Sequence, residues 1–197
     1  MLSASVDGWF TLPLTVPNYL AGFVGKPVLP LDAPEVSAAI ERVQKRTDAL
    51  LNCGGTHRPE WFHRKLGDIL YEGCGVARDE AGLLDALTKA RELREEFWRD
   101  VKVVGTGNRL NQELEKAGRV ADFIELGEVM ILDALDRRES AGAHFRNEYA
   151  TEAGEAKRND DDWCAVSAWE TRPDGTKVRH SEPLSFSLID LQVRDYR

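Results

Sequence analysis

The sequence is short of several things, and each shortage excludes a class of protein. It has no uninterrupted apolar run of membrane-spanning length, and its first ten residues, MLSASVDGWF, carry no basic segment. That excludes a secretory leader and a membrane span as readings of the N-terminus. Cysteine is scarce: Cys53, Cys74 and Cys164 are the only three. They form no CxxC pair, so no redox or zinc motif is written locally, and an odd, scattered set reads as free, half-buried thiols in a reducing compartment. Basic residues are outnumbered, 26 Lys and Arg against 34 Asp and Glu, for a net charge of -8. A surface of that sign lacks the basic patch that a nucleic-acid backbone requires. No internal repeat and no low-complexity tract is visible.

What is present is a globular composition, 42% hydrophobic and 30% charged over 197 residues. That length supports one domain, or one domain with an appendage. The segment from Leu2 to Val24 is apolar and punctuated by Pro13 and Pro17. It reads as a short helix, a break near Pro13 and a second helical stretch, with side chains that need a cover. Lys26-Pro27 through Pro30-Leu31 reads as an extended linker. Asp32, Pro34 and Glu35 then open a helix with capping chemistry, carried on by Val36, Ile40, Val43 and Leu50 and stopped at Asn52-Cys-Gly-Gly55.

A second helix is expected from Pro59 to Tyr71, with Trp61, Leu66, Ile69 and Leu70 on its apolar side. Asp79 caps a third, whose stripe is Ala86, Ala90, Leu93, Phe97 and Val101. The longest runs from about Arg109 to Arg137. Its stripe runs from Leu110 through Leu114, Ala117, Ala121, Ile124 and Ile131 to Leu135, widened by Val120, Phe123 and Met130. The spacing predicts a mainly α protein: an antiparallel bundle of three to four helices with a small C-terminal antiparallel β element. The strands are expected at Cys164–Trp169 and Leu184–Leu191, around the turn chemistry of Arg172-Pro-Asp-Gly175. The organisation expected is 1–31, 32–140 and 141–197.

Few side-chain groupings suggest chemistry. Gly105-Thr-Gly107 follows a helix and lacks a third glycine, so the dinucleotide fingerprint fails on context. Cys53, His57, His63 and Cys74 match no compact zinc spacing, and structural roles are favoured. Asp160-Asp161-Asp162 lacks the alternation of a calcium loop and reads as a solvated turn. Glu128 falls inside an apolar stripe, where a carboxylate must be paired or neutral. A salt bridge to a bundle arginine, Arg94 for instance, is favoured over proton transfer. The densest cluster, Arg137 to Arg146, reads as a helix C-terminus held by ion pairs, with His144 and Arg146 reaching back to acidic groups and anion binding as the sharper alternative.

That cluster carries a family resemblance. Arg138-Glu-Ser-Ala-Gly-Ala-His-Phe-Arg146 resembles the R-E-S-R-G-A-H-x-R segment of succinate dehydrogenase and fumarate reductase flavoprotein subunits. Ala141 departs from it where the family has arginine. Asn159-Asp-Asp-Asp-Trp163 resembles the R-D-D-E-N-W found after that segment. Leu93–Trp98, Leu110–Glu115 and Arg194–Arg197 are similar to the form of this subunit with a long helical domain. Leu2 to Pro13 resembles the helix after its G-A-N-R-L-G-x-N-S-L segment.

The resemblance implies the C-terminal portion of a flavoprotein that interconverts succinate and fumarate through FAD. It implies electrons passed to an iron–sulfur subunit and a quinone-reactive membrane anchor, at the inner face of the cell membrane. It places residues 1–31 as a remnant of the FAD-binding domain plus linker, with Met1 and Leu2 at the flavin's edge. The covalent-flavin histidine and the substrate and proton-shuttle arginines are implied to lie upstream, so no catalytic residue and no metal ligand is expected in this chain. The alternative is a free-standing helical module that docks on a flavin or iron–sulfur partner through its apolar N-terminal face. A small enzyme using Glu128 and His144 has little behind it.

Overall fold

The computed structural model describes residues 5–107, 109–188 and 191–192. They fall into two compact units, Met1–Lys45 and Arg46–Arg197, each described by itself. In the first, a π-helical turn at Asp7–Thr11 runs directly into helix α1, Leu12–Ala21. The predicted break near Pro13 is therefore a widened turn rather than an interruption. Pro13 falls in the first turn of α1, where no backbone donor is needed. Pro17 sits inside α1 one helical turn later and leaves the Pro13 carbonyl without its usual donor. Trp9, Phe10, Leu14 and Tyr19 are all exposed on this unit. Residues 27–30, between Lys26 and Leu31, belong to no helix, strand or turn. Helix α2, Pro34–Asn52, begins with the Ala33 carbonyl accepting from Ser37 N–H at 3.1 Å, so the cap position is one residue later than Asp32.

The second unit is built on three helices: α3 (Pro59–Gly73), α4 (Glu80–Asp100) and α5 (Gln112–Asp136). Lys65 pairs with Glu96, whereas Gly73 meets Ala86, so α3 and α4 run antiparallel. Arg91 meets Glu128 and Arg94 approaches Glu125, so α5 reverses again. Each start is fixed locally. Pro59 opens α3, the Asp79 carboxylate accepts from Gly82 N–H at 2.8 Å, and the Asn111 side chain accepts from Leu114 N–H at 3.1 Å. Asn111 also donates to the Val104 and Thr106 carbonyls, which folds the 103–107 loop against the helix start. This is why α5 begins at Gln112 rather than Arg109 and leaves Leu110 exposed.

The core is continuous. Phe62, Leu66 and Ile69 of α3 meet Leu83, Ala90, Leu93 and Phe97 of α4 and Val120, Ile124 and Ile131 of α5. The Phe62 and Phe97 rings pack edge to face with centroids 5.2 Å apart. All five residues of the predicted α4 stripe are buried. Phe123 and Met130, expected to widen the α5 stripe inward, instead face solvent. Packing on α3 and α4 already occupies the inner arc of α5, and these two lie beyond it.

The β content is two separate pairs. Strand β1 (Ala77–Arg78) runs parallel to β2 (Phe145–Arg146). Strands β3 (Ala165–Thr171) and β4 (Lys177–Pro183) form the antiparallel hairpin, Ala165 opposite Pro183. The second strand is thus not at 184–191: residues 184–188 are not strand, and Ile189 and Asp190 lie outside the described residues. Turn geometry decides it. Gly175 takes φ +84 and donates to the Arg172 carbonyl at 2.9 Å, so the chain doubles back at once and Lys177 already stands opposite Thr171. The polar sequence Lys177–Pro183 hid that strand, because it presents no hydrophobic alternation.

Phe97→Ala should destabilise the chain by about 3–5 kcal/mol in urea unfolding, whereas Phe123→Ala should cost under about 1 kcal/mol.

Candidate functional site

The cluster singled out in the sequence closes the C-terminal end of α5. A helix end leaves carbonyls without intrahelical donors. Here Arg146 supplies them. Its guanidinium donates to the Ala134 carbonyl at 2.8 Å and the Leu135 carbonyl at 3.2 Å, although the residue is only 2% exposed. Its Nε donates to Glu148 at 3.1 Å, and the Glu148 carboxylate in turn accepts from Glu80 N–H, in the first turn of α4. One cation therefore links the end of α5 to the start of α4. The Tyr149 ring faces the guanidinium at 5.5 Å.

The chain returns to this point through a tight reversal. Ala141 and His144 exchange backbone hydrogen bonds of 2.8 and 3.0 Å, with Gly142 at φ +59 between them. Ser140, fully buried, donates through Oγ to the Arg146 carbonyl and accepts from Arg146 N–H at 2.8 Å. Glu139 is equally buried. Arg137 donates to one carboxylate oxygen through Nε and Nη2, and Asn159 N–H reaches the other at 2.9 Å. His144 Nε2 lies 3.1 Å from the Arg137 carbonyl, which can only accept, so Nε2 carries the proton. Nδ1 is then free to accept from Arg78 at 3.5 Å.

Electrostatics reflect this crowding. Burial lowers the His144 pKa, helped by the Arg78, Arg137 and Arg146 cations and opposed by the Arg137 carbonyl. For Glu148, burial pushes upward, but hydrogen bonds from Arg146 and Glu80 outweigh it and hold the carboxyl below its usual range. Of the acidic contacts expected for His144 and Arg146, one is made: Arg146 meets Glu148. Each also bonds helix-end carbonyls, Arg146 those of Ala134 and Leu135 and His144 that of Arg137.

Glu128 is buried in α5 and is paired with Arg94, as expected, and also with Arg91 at 2.8 Å, a partner that the sequence pattern did not single out. Arg91 sits one turn before Arg94 on α4, a spacing that signals a shared face. His57 and His63 serve separate places. His57 Nδ1 is 2.6 Å from Asp100 and its ring stacks on Trp61 at 4.0 Å, whereas His63 lies against Phe123. His57 and Thr56, the latter through side chain and backbone, bring the Asp100 pKa down to about 2. Cys53, Cys74 and Cys164 are free and half-buried, and burial raises the Cys74 thiol. The expected solvated turn is one turn of helix, α6 (Asp160–Trp163), capped by Asn159, with Asp161 and Asp162 exposed. Met1 and Leu2 lie outside the described residues. Among the described residues no helix is long and apolar enough to cross a membrane, and no three potential ligands are placed to hold a metal.

A three-helix bundle, closed at one end by a buried arginine and carrying a hairpin tail, is the architecture these residues build. Residues 63–196 match the family described as fumarate reductase flavoprotein C-term, and the chain belongs to that family. The succinate dehydrogenase flavoprotein subunit of Bacillus subtilis is 26% identical over 160 residues, 81% of this chain and 26% of that protein. The fumarate reductase flavoprotein subunit of Escherichia coli is 30% identical over 111 residues, 56% of this chain and 18% of that protein.

The same fold is found in E. coli quinol fumarate reductase, at TM-score 0.68 and 24% identity over 79% of this chain and 26% of that one. It is found also in adenylylsulfate reductase of Archaeoglobus fulgidus, at TM-score 0.62 and 16% identity over 89% of this chain and 28% of that one. The chain thus spans about a quarter of the length of its matched relatives.

Two outcomes test the site. Arg146→Met should lower stability by about 3–5 kcal/mol in urea unfolding, because two carbonyls and Glu148 lose a buried partner together. His144 has a native pKa below the ordinary 6.5, so the unfolded chain protonates first. Stability should be full above that value and fall as pH drops below it, and His144→Gln should flatten this slope between about pH 7 and pH 5.

Proposed function

We propose that this chain is the helical C-terminal portion of a flavoprotein oxidoreductase subunit that interconverts succinate and fumarate. The observation that carries the reading is the family match over residues 63–196 together with relatives carrying those names. The intact subunit uses FAD for hydride transfer and passes electrons to an iron–sulfur subunit and a membrane-anchored quinone site. Its place is the inner face of the cell membrane, held there through those partners. In this division of labour residues 1–31 belong with the flavin-binding domain, 32–140 form the bundle and 141–197 the tail, and the backbone of Met1 and Leu2 approaches the flavin.

The described residues of this chain act as scaffold. In the knot at the end of α5, the guanidinium of Arg146 and the carboxylate of Glu139 are committed to partners inside the protein. The Glu128 carboxylate is likewise held by two arginines. Such groups fix geometry and do not exchange protons with a substrate. These arginine–glutamate surroundings do not fit a flat, largely apolar flavin ring, so no step through FAD is assigned to them. The apolar side chains exposed between Val6 and Val24 suit packing against a flavin-binding partner.

Purified alone and supplied with FAD, the chain should show no bound-flavin absorbance and no succinate-dependent dye reduction. Recovered from its own cells by an affinity tag, it should bring a flavin-bearing polypeptide that has both. Stoichiometric FAD binding by the chain alone would refute the scaffold role. A tagged chain that carries flavin but supports no succinate oxidation or fumarate reduction would point instead to a docking module on another flavoprotein.

A further inference from the structure

The hairpin leans on α5 through polar contacts made to one acidic row of that helix. Trp169 Nε1 donates to Asp133 at 2.8 Å, Lys177 Nζ to Glu125 at 2.9 Å, and Arg179 pairs with Asp136 at 2.7 Å. Between the hairpin tip and the α4–α5 face lies an open cleft of about 880 Å³. Its wall is made by Arg91, Arg94, Glu125 and Glu128 on the helices and by Trp169, Arg172 and Lys177 on the hairpin.

The charges in this cleft do not cancel. Glu128 is engaged by Arg91 through Nε alone and by Arg94 through Nη1 alone, so each guanidinium keeps N–H groups for another acceptor. Glu125 is taken by Lys177, whose side chain is only 7% exposed. Three cations thus share two carboxylates in a partly buried wall. Arg172 adds a fourth cation from the tip and makes no ion pair among the described residues. The remaining acid, Asp174, is turned into its own turn, accepting from Thr176 N–H at 3.0 Å and from the Thr176 hydroxyl at 2.7 Å. Those bonds leave Asp174 charged, so four cations face three carboxylates and the cleft is net positive by one charge, on a chain whose formal net charge is -8. Local cation excess with low-dielectric walls concentrates anions, and paired guanidiniums suit planar or tetrahedral oxyanions.

We infer that this cleft is a binding site for a small multivalent oxyanion, a phosphate ester or a polycarboxylate. Arg91 and Arg94 receive it from the helix side and Arg172 from the hairpin tip. Bound there, the anion supplies the missing negative charge and ties the hairpin to the bundle. The site is separate from the knot around Arg146 and does not depend on the redox reading.

The test is isothermal titration of the full chain with pyrophosphate and, separately, with citrate at low salt. Saturable one-site binding is expected for at least one probe, with a change in tryptophan emission from Trp169. Which probe binds identifies phosphate or carboxylate chemistry as the ligand class. Arg172→Glu, in an exposed turn that leaves the fold intact, should weaken binding at least tenfold. Arg64→Glu, an equal charge change on the exposed side of α3 and outside the cleft wall, should leave it within about twofold. Glu128→Gln should tighten it, because the two arginines lose a competing carboxylate. No saturable binding of either probe up to about 10 mM would overturn the inference. So would equal weakening by the Arg172 and Arg64 variants, which would mean diffuse attraction to the surface.

Discussion

A guanidinium that is 2% exposed has to be partnered almost completely, and the partners of Arg146 decide how the rest of the second unit is put together. It takes the Ala134 and Leu135 carbonyls at the end of the longest helix and, through Glu148, the first turn of α4. Its own backbone is held by Ser140, and Ser140 N–H donates to the Lys157 carbonyl. Remove the cation and the end of α5 loses two donors, Glu148 loses its cation, and the start of α4 loses its link to that helix end. The hydrophobic core sets how tightly three helices pack. The buried arginine sets where the chain goes once they end.

The two halves of the second unit are held by different physics. The bundle is held by aromatic and aliphatic burial around Phe62 and Phe97, which is insensitive to salt. The hairpin is held to α5 by Lys177, Arg179 and Trp169 on acidic partners, with Trp163 stacked under Arg179 at 4.8 Å. Partly exposed charge contacts weaken with ionic strength, so the tail is the element whose position responds to solution conditions and to bound ions.

The helices were legible because their signals are local. Asp79 and the i, i+4 stripe from Ala86 to Val101 identify α4 without reference to anything else, and the structure buries every residue of that stripe. Glu128 was legible for the same reason, as a carboxylate where only an apolar residue belongs. What escaped depends on distant partners. The outward turn of Phe123 and Met130 comes from how α3 and α4 share the face of α5. The strand Lys177–Pro183 is imposed by the turn before it. The parallel pair of Ala77–Arg78 with Phe145–Arg146 joins two-residue segments far apart in sequence, too short to carry a pattern. In the cluster from Arg137 to Arg146, its place at a helix end could be read from the sequence. Arg146 could be named as a residue that reaches back, but not its main target, because which carbonyls it meets depends on how the reversal at Gly142 sets it against α5.

Native-state hydrogen exchange tests most directly whether one buried arginine joins these parts. The amides to monitor are Glu80, bonded to Glu148, Ser140, bonded to Lys157, and Arg137, bonded to Asp133 at the end of α5. If Arg146 couples them, all three exchange through a single opening, with one free energy and one denaturant dependence. If Glu80 and Ser140 exchange through small local openings while Arg137 remains protected to the global limit, the helix end and the tail are independent, and the central claim is wrong.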